Sequence, residues 1–133
     1  MDTNILIAAL YDKSPSHIKA IEFISKNKEY VEKFVISSQN ILELTSVLIN
    51  AFKLSPKDFS SNIEALIFDP KVEIIYPDHF SLLKYFELLK NNTKIHTTDL
   101  FLVATAISHG VTVFITNDSD FEKILGIKVV DPL

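Results

Sequence analysis

Apolar positions in this chain fall into short blocks divided by polar turns. Residues 3–11 are almost wholly apolar and helix-compatible. Ser14-Pro15 opens a second helix running to about residue 28, because proline suits a first turn and Ile18, Ile21 and Ile24 recur at helical spacing. Phe34 to Ile36 form a short β-prone run. Residues 39–53 read as a helix with Ile41, Leu44, Leu48 and Ala51 on one face, and Ser55-Pro56 opens another carrying Phe59, Ile63, Leu66 and Ile67. Asp69-Pro70 ends it. Val72 to Tyr76 read as a strand, and residues 78–91 as a helix with Leu82, Leu83, Phe86 and Leu89 inward. Thr97 or Thr98 caps a further helix to Ser108, closed by Gly110. Val111 to Ile115 and Ile127 to Val130 are strand-like. Strands alternate with helices and are continuous apolar runs, the pattern of a three-layer α/β/α domain around a short parallel sheet.

Length and composition narrow the classes. A chain of 133 residues holds one core, so residues 1–133 are expected to form a single domain. No apolar run reaches the roughly 18 residues that span a bilayer, and no secretory signal is visible, so a cytoplasmic protein without membrane contact is expected. The absence of cysteine excludes disulfides, thiolate metal sites and a Cys nucleophile. Net charge is −4, and every basic residue is lysine. Without arginine, the side chain that binds phosphate and guanine in bidentate fashion is absent. If the chain handles a polyanion, a bound divalent cation is the natural source of positive charge.

In open parallel sheets, ligands gather at the carboxyl ends of strands. The acids that follow strands or open helices are therefore the candidates. Asp99 opens an apolar helix, with Leu102, Val103 and Ala106 as its helical neighbours. It acts either as an N-terminal cap or as a carboxylate needing a partner or metal. Glu43 shares a polar stripe with Gln39, Asn40, Ser46 and Asn50, which fits a solvated face or a cleft. Asp118 and Asp120 stand in an Asn/Asp/Ser turn after a strand, where local hydrogen bonding alone explains such residues. Asp2 by itself carries almost no signal. His17, His79, His96 and His109 show no zinc spacing, and neither a glycine-rich phosphate loop nor a Gly-x-Ser-x-Gly elbow occurs.

As an ordered set these segments resemble a known family. Met1-Asp2-Thr3-Asn4-Ile5-Leu6, Asn40-Ile41-Leu42-Glu43-Leu44, Thr98 to Ala106, and Thr116-Asn117-Asp118-Ser119-Asp120-Phe121 look like the PIN domain, closest to the VapC-type toxin nucleases. The resemblance covers nearly the whole chain. It implies a metal-dependent endoribonuclease that hydrolyses RNA phosphodiester bonds, with a metal-activated water as nucleophile and Mg²⁺ or Mn²⁺ as cofactor. It places the catalytic acids at Asp2, Glu43, Asp99 and Asp118. It adds Asp120 as a further metal ligand, with Asn4 supporting the first Asp and Thr116 near the metal. It also implies an antitoxin protein and a homodimer as partners.

The resemblance puts a central strand before the first Asp, yet only Met1 precedes Asp2. The expectation is a natural chain beginning further upstream, with a truncated, inactive form as the alternative. Loss of that strand should leave two sheet edges unpaired. A free α-amino group at Met1 would set a positive charge beside Asp2. Two rivals to the nuclease remain: a catalytically inactive PIN-like module that binds RNA or a protein, and a receiver-like α/β domain. The second fits poorly, since Asp78 is badly placed for a phosphoacceptor and acids rather than a lysine follow Ile115.

Overall fold

A computed structural model describes residues 1–92 and 94–133. In chain order the elements are α1 (Thr3–Leu10), α2 (His17–Asn27), β1 (Phe34–Ser37), α3 (Ser38–Asn50), α4 (Pro56–Phe68), β2 (Val72–Ile75), α5 (His79–Asn91), α6 (Thr97–Ser108), β3 (Val113–Ile115), a 3-10 turn (Ser119–Lys123) and β4 (Lys128–Val130). This is an α/β fold with short parallel sheets. β1 pairs with β2, Phe34 opposite Val72 and Ser37 opposite Ile75. β3 pairs with β4, Val113 opposite Lys128 and Ile115 opposite Val130. Parallel pairing needs a crossover; α3 and α4 supply the first, and the stretch containing the 3-10 turn supplies the second.

Local chemistry accounts for the element boundaries. Ser37 and Asn40 form a reciprocal capping box at α3, Ser55 and Asp58 one at α4, and Asp78 and Ser81 one at α5. Gly110 takes φ 80°, the left-handed turn that stops α6. Ser14-Pro15 forms a turn rather than a first helical turn, with His17 N–H donating to Ser14 O at 3.1 Å, so α2 starts at His17.

The core has three parts. Leu100, Leu102, Val103 and Ala104 of α6 pack with Leu88, Phe114, Phe121 and Ile124. Ile5, Leu6, Phe34 and Ile36 form the second group, and Leu44, Leu48, Phe59 and Ile63 the third. α6 is buried around most of its girth, which is why its sequence is apolar almost throughout.

α5 departs from its expected face. Leu82, Leu83 and Phe86 are 49%, 68% and 59% exposed, and the inward residues are Ser81 and Leu88, with Tyr85 and Leu89 packed beside them. The helix carries apolar residues on both sides. The capping box turns Ser81 inward, where its Oγ meets Ser108 Oγ at 2.9 Å, and that contact selects the rotation.

Among the described residues the strands form two separate two-stranded sheets, so the facing edges of β1 and β3 are largely unpaired, as expected, and are met only at one point each. The Met1 amino group donates to Val35 O at 3.2 Å, and Asp2 N–H to Ile115 O at 2.8 Å. Two residues thus bridge β1 and β3. Below Met1 a cavity of about 690 Å³ continues between the two sheets, lined by Phe34, Val35, Val111 and Val113 among others. The expected positive charge beside Asp2 is weakened, because burial pushes the Met1 amino group down to about 6.

Candidate functional site: four carboxylates around one cavity

Asp2 stands at the N-cap of α1 with extended backbone. Its Oδ2 accepts a hydrogen bond from Thr116 Oγ1 at 2.7 Å. The same hydroxyl accepts from Asp118 N–H at 3.1 Å, and Asp118 Oδ1 in turn accepts from Asp120 N–H at 2.9 Å. The end of β3 and the turn after it therefore fix the first carboxylate through one buried threonine. Burial raises the Asp2 pKa, opposed by the Thr116 hydroxyl and by the backbone amides of Thr3 and Asn4.

Glu43 projects from the middle of α3 and is held on both oxygens. Oε2 accepts from Thr3 Oγ1 at 2.5 Å, and Oε1 from Gln39 Nε2 at 2.7 Å. Thr3 Oγ1 accepts from Asn40 Nδ2 at 2.9 Å, while Asn40 Oδ1 accepts from Ser37 N–H at 2.9 Å. Asn40 is fully buried, so the first part of the polar stripe of α3 is an interior network, while Ser46 and Asn50 further along it are exposed.

Asp99 sits in the first turn of α6, but the cap is His96, whose ring nitrogen Nδ1 lies 3.4 Å from Thr98 N. Among the described residues Asp99 has no hydrogen-bond partner, unlike the other three acids. Burial pushes its carboxyl pKa up, and the charges of Asp2, Glu43 and Asp118 push it further, with His96 opposing.

Asp2, Glu43, Asp99 and Asp118 line one cavity of about 460 Å³, together with Thr3 and Asn4. Thr116 lies behind it as the clamp on Asp2. Asn4 is exposed at the wall, and the side chain that braces Asp2 is that of Thr116. Asp120 is not brought into the cavity: it pairs with Lys123 at 3.0 Å and lines a separate depression with Asn91 and Lys94. Thr3, Gln39 and Asn40 complete the arrangement and were absent from the expected site. A Ser37-x-x-Asn40 capping box was a signal for Asn40; nothing local marked Thr3.

Carboxylate oxygens are hard donors suited to Mg²⁺ or Mn²⁺. Among the described residues, no three acidic or histidine side chains converge closely enough to form a ready-made cage. Magnesium keeps several waters and needs only one or two protein carboxylates, so an open, acid-walled cavity fits it. Burial first, and then repulsion from Asp2, Glu43 and Asp118, raise the Asp99 pKa, and a cation in the cavity would offset that repulsion.

Among the described residues, no helix is long and apolar enough to cross a membrane. No curated protein sequence matches the chain significantly. Solved structures do share its fold. A chain of the DNA-bound VapBC complex from Salmonella typhimurium is 25% identical, with a TM-score of 0.74 over 99% of this chain and 96% of that one. A chain of VapBC2 from Rickettsia felis, bound to a DNA fragment from their promoter, is 22% identical, with a TM-score of 0.72 over 98% of this chain and 95% of that one. A chain of VapBC-1 from nontypeable Haemophilus influenzae is 22% identical, with a TM-score of 0.74 over 98% and 95%. The family model described as the PIN domain matches residues 1–126. The chain belongs to the PIN domain family.

Proposed function

We propose that this protein is a VapC-type endoribonuclease that hydrolyses RNA phosphodiester bonds with Mg²⁺ or Mn²⁺, the toxin of a toxin–antitoxin pair. The observation that carries the reading is the meeting of Asp2, Glu43, Asp99 and Asp118 on one cavity wall, with Asp99 left unpartnered. Similarity to VapBC structures supports an antitoxin partner. A cytoplasmic homodimer, with residues 1–133 as one domain, belongs to the same proposal.

Asp2, Glu43, Asp99 and Asp118 would hold the metal. Bound there, a divalent cation supplies Lewis acidity, lowers the pKa of water and neutralises phosphate charge. The protein's own work is positioning. Thr116 fixes Asp2, while Thr3 and Gln39 fix Glu43. Asp99 is free to take up whatever cation or proton the cavity admits. A chain of net charge −4 without arginine repels RNA at an acidic wall, so cation loading and RNA approach are coupled.

The test is cleavage of a mixed-sequence RNA with Mn²⁺, with excess chelator, and by Asp99→Asn. Cleavage by the native chain with Mn²⁺, lost in the other two, supports the reading. Cleavage that survives chelation or Asp99→Asn overturns it. The second reading, an inactive PIN-like module that binds RNA or a protein, draws on the lack of a preassembled cage among the described residues. It predicts binding without cleavage.

A further inference from the structure

Gln39 lies one turn before Glu43 on α3, and its amide spans two helices. Nε2 donates to Glu43 Oε1 at 2.7 Å and to the backbone oxygen of Thr98 at 2.8 Å. Thr98 immediately precedes Asp99 in the first turn of α6. The NH₂ group has two protons, and both are used. Its orientation is set by chemistry: rotating the amide by half a turn would face Oε1 against a carboxylate and a carbonyl, both acceptors.

That orientation has a cost. Gln39 Oε1 is buried without a hydrogen-bond partner among the described residues. An unpaired buried acceptor weakens a fold. A methionine would fill similar space and remove that cost, but it would also remove both Nε2 hydrogen bonds, so the two effects on stability oppose each other.

We infer that Gln39 is a positioning residue, which ties the Glu43 carboxylate to the start of α6 and so sets the spacing of Glu43 and Asp99 across the cavity. The inference rests on the metal-dependent reading above. A carboxylate pair held at fixed separation binds a cation without first losing side-chain freedom. Released from Nε2, Glu43 keeps only the Thr3 hydroxyl and swings on its remaining rotamers.

The experiment uses the full chain as wild type, Gln39→Met and Gln39→Asn. Each is melted across an Mn²⁺ titration, and RNA cleavage is resolved into kcat and KM. The expected result is a metal-free melting point for Gln39→Met within a few degrees of wild type. Its Mn²⁺ midpoint should rise about 10-fold or more, the usual scale for groups that orient ligands. Its kcat should fall by a similar factor, with KM for RNA within about threefold, since Gln39 touches the ligand set and not the RNA. Gln39→Asn keeps the amide but is one methylene too short to reach both acceptors, and should behave like Gln39→Met. An Mn²⁺ midpoint and kcat equal to wild type in folded Gln39→Met overturn the proposal while leaving the metal reading intact. No Mn²⁺ response in wild type overturns the metal reading, and this proposal with it. If neither variant folds, Gln39 is a structural residue and the proposal fails.

Discussion

Asp78 and Asp99 both stand at the amino end of a helix, and the fold treats them in opposite ways. Asp78 caps α5: its Oδ1 accepts from Ser81 N–H at 3.0 Å and from Ser81 Oγ at 3.1 Å, and its Oδ2 faces the His109 ring at 3.9 Å. The Ser81 amide leads the set of donors that hold its pKa below the usual carboxylate range. Asp99 has the helix but not the cap. His96 occupies that place, and three other carboxylates surround the cavity Asp99 faces, so burial and repulsion hold its pKa up. The same residue type at the same kind of position is satisfied at the start of α5 and frustrated at the start of α6. Satisfied acids stabilise folds. Frustrated ones are kept where a site has work to do.

The largest expected effect concerns what the frustration is for. Asp99→Asn should lower RNA cleavage by about 100-fold or more, the scale of losing one well-placed transition-state charge contact. Asp78→Asn should leave kcat within a few-fold. Equal losses in both variants, measured on folded protein, would erase the distinction.

Next in size is the response to metal. Mn²⁺ at 100 times its Kd should stabilise the native chain by about 2.7 kcal/mol, read as a rise in melting temperature. The rise should vanish in Asp99→Asn and persist in Asp78→Asn. A persistent rise in Asp99→Asn would move the cation away from this cavity.

The satisfied end is tested by Ser81→Ala. It removes a buried hydroxyl shared by Asp78 and Ser108, and should cost about 1–3 kcal/mol in chemical denaturation without changing the Mn²⁺ response. No loss of stability would mean that α5 is held by its apolar contacts alone.

A smaller effect carries a sign that depends on pH. The raised Asp99 pKa means that the folded chain binds more protons than the unfolded one just above the ordinary carboxylate range. Its contribution to stability therefore falls as pH rises through that window. Metal-free Asp99→Asn should be more stable than wild type at neutral pH, by up to about 1 kcal/mol once solvent screening is allowed for, and the gain should shrink on acidification. Asp78 has a lowered pKa, so its stabilisation is present above the ordinary carboxylate range and is lost as pH falls through its folded value. Denaturant midpoints from pH 4 to 8 for the two Asn variants should diverge in opposite directions. Parallel curves would break the comparison.

The smallest effect belongs to Asp120. It pairs with Lys123 outside the cavity, so Asp120→Asn should leave the Mn²⁺ midpoint within about twofold. A large shift would return Asp120 to the ligand set.

Legibility from sequence followed the range of the interactions. Capping residues act on neighbours three positions away, so the starts of α4 and α5 could be read directly. α6 was legible because a helix buried on most sides must be apolar on most sides. α5 was misread because apolar residues occupy both its faces, and the deciding contact, Ser81 with Ser108, lies 27 positions away. The polar stripe of α3 was ambiguous for the same reason: Asn40 is interior only because Thr3, 37 positions back, meets it. Taken one by one, the four acids read equally well as caps, turn residues or a solvated face, and only the family resemblance of their ordered segments grouped them; the structure adds that they line one cavity. Which of them would be clamped, and which left free, depended on partners that no local pattern displays.

The Asp2–Thr116 contact joins positions 114 apart. Closing a loop of that length costs about 4 kcal/mol of chain entropy beyond a constant, so the contact forms only when the rest of the fold has drawn its ends together. During synthesis Asp2, Glu43 and Asp99 all leave the ribosome before the residue that braces the first of them. The acid wall is thus completed late, by the last pair of strands, and a nascent chain carries its carboxylates without their geometry.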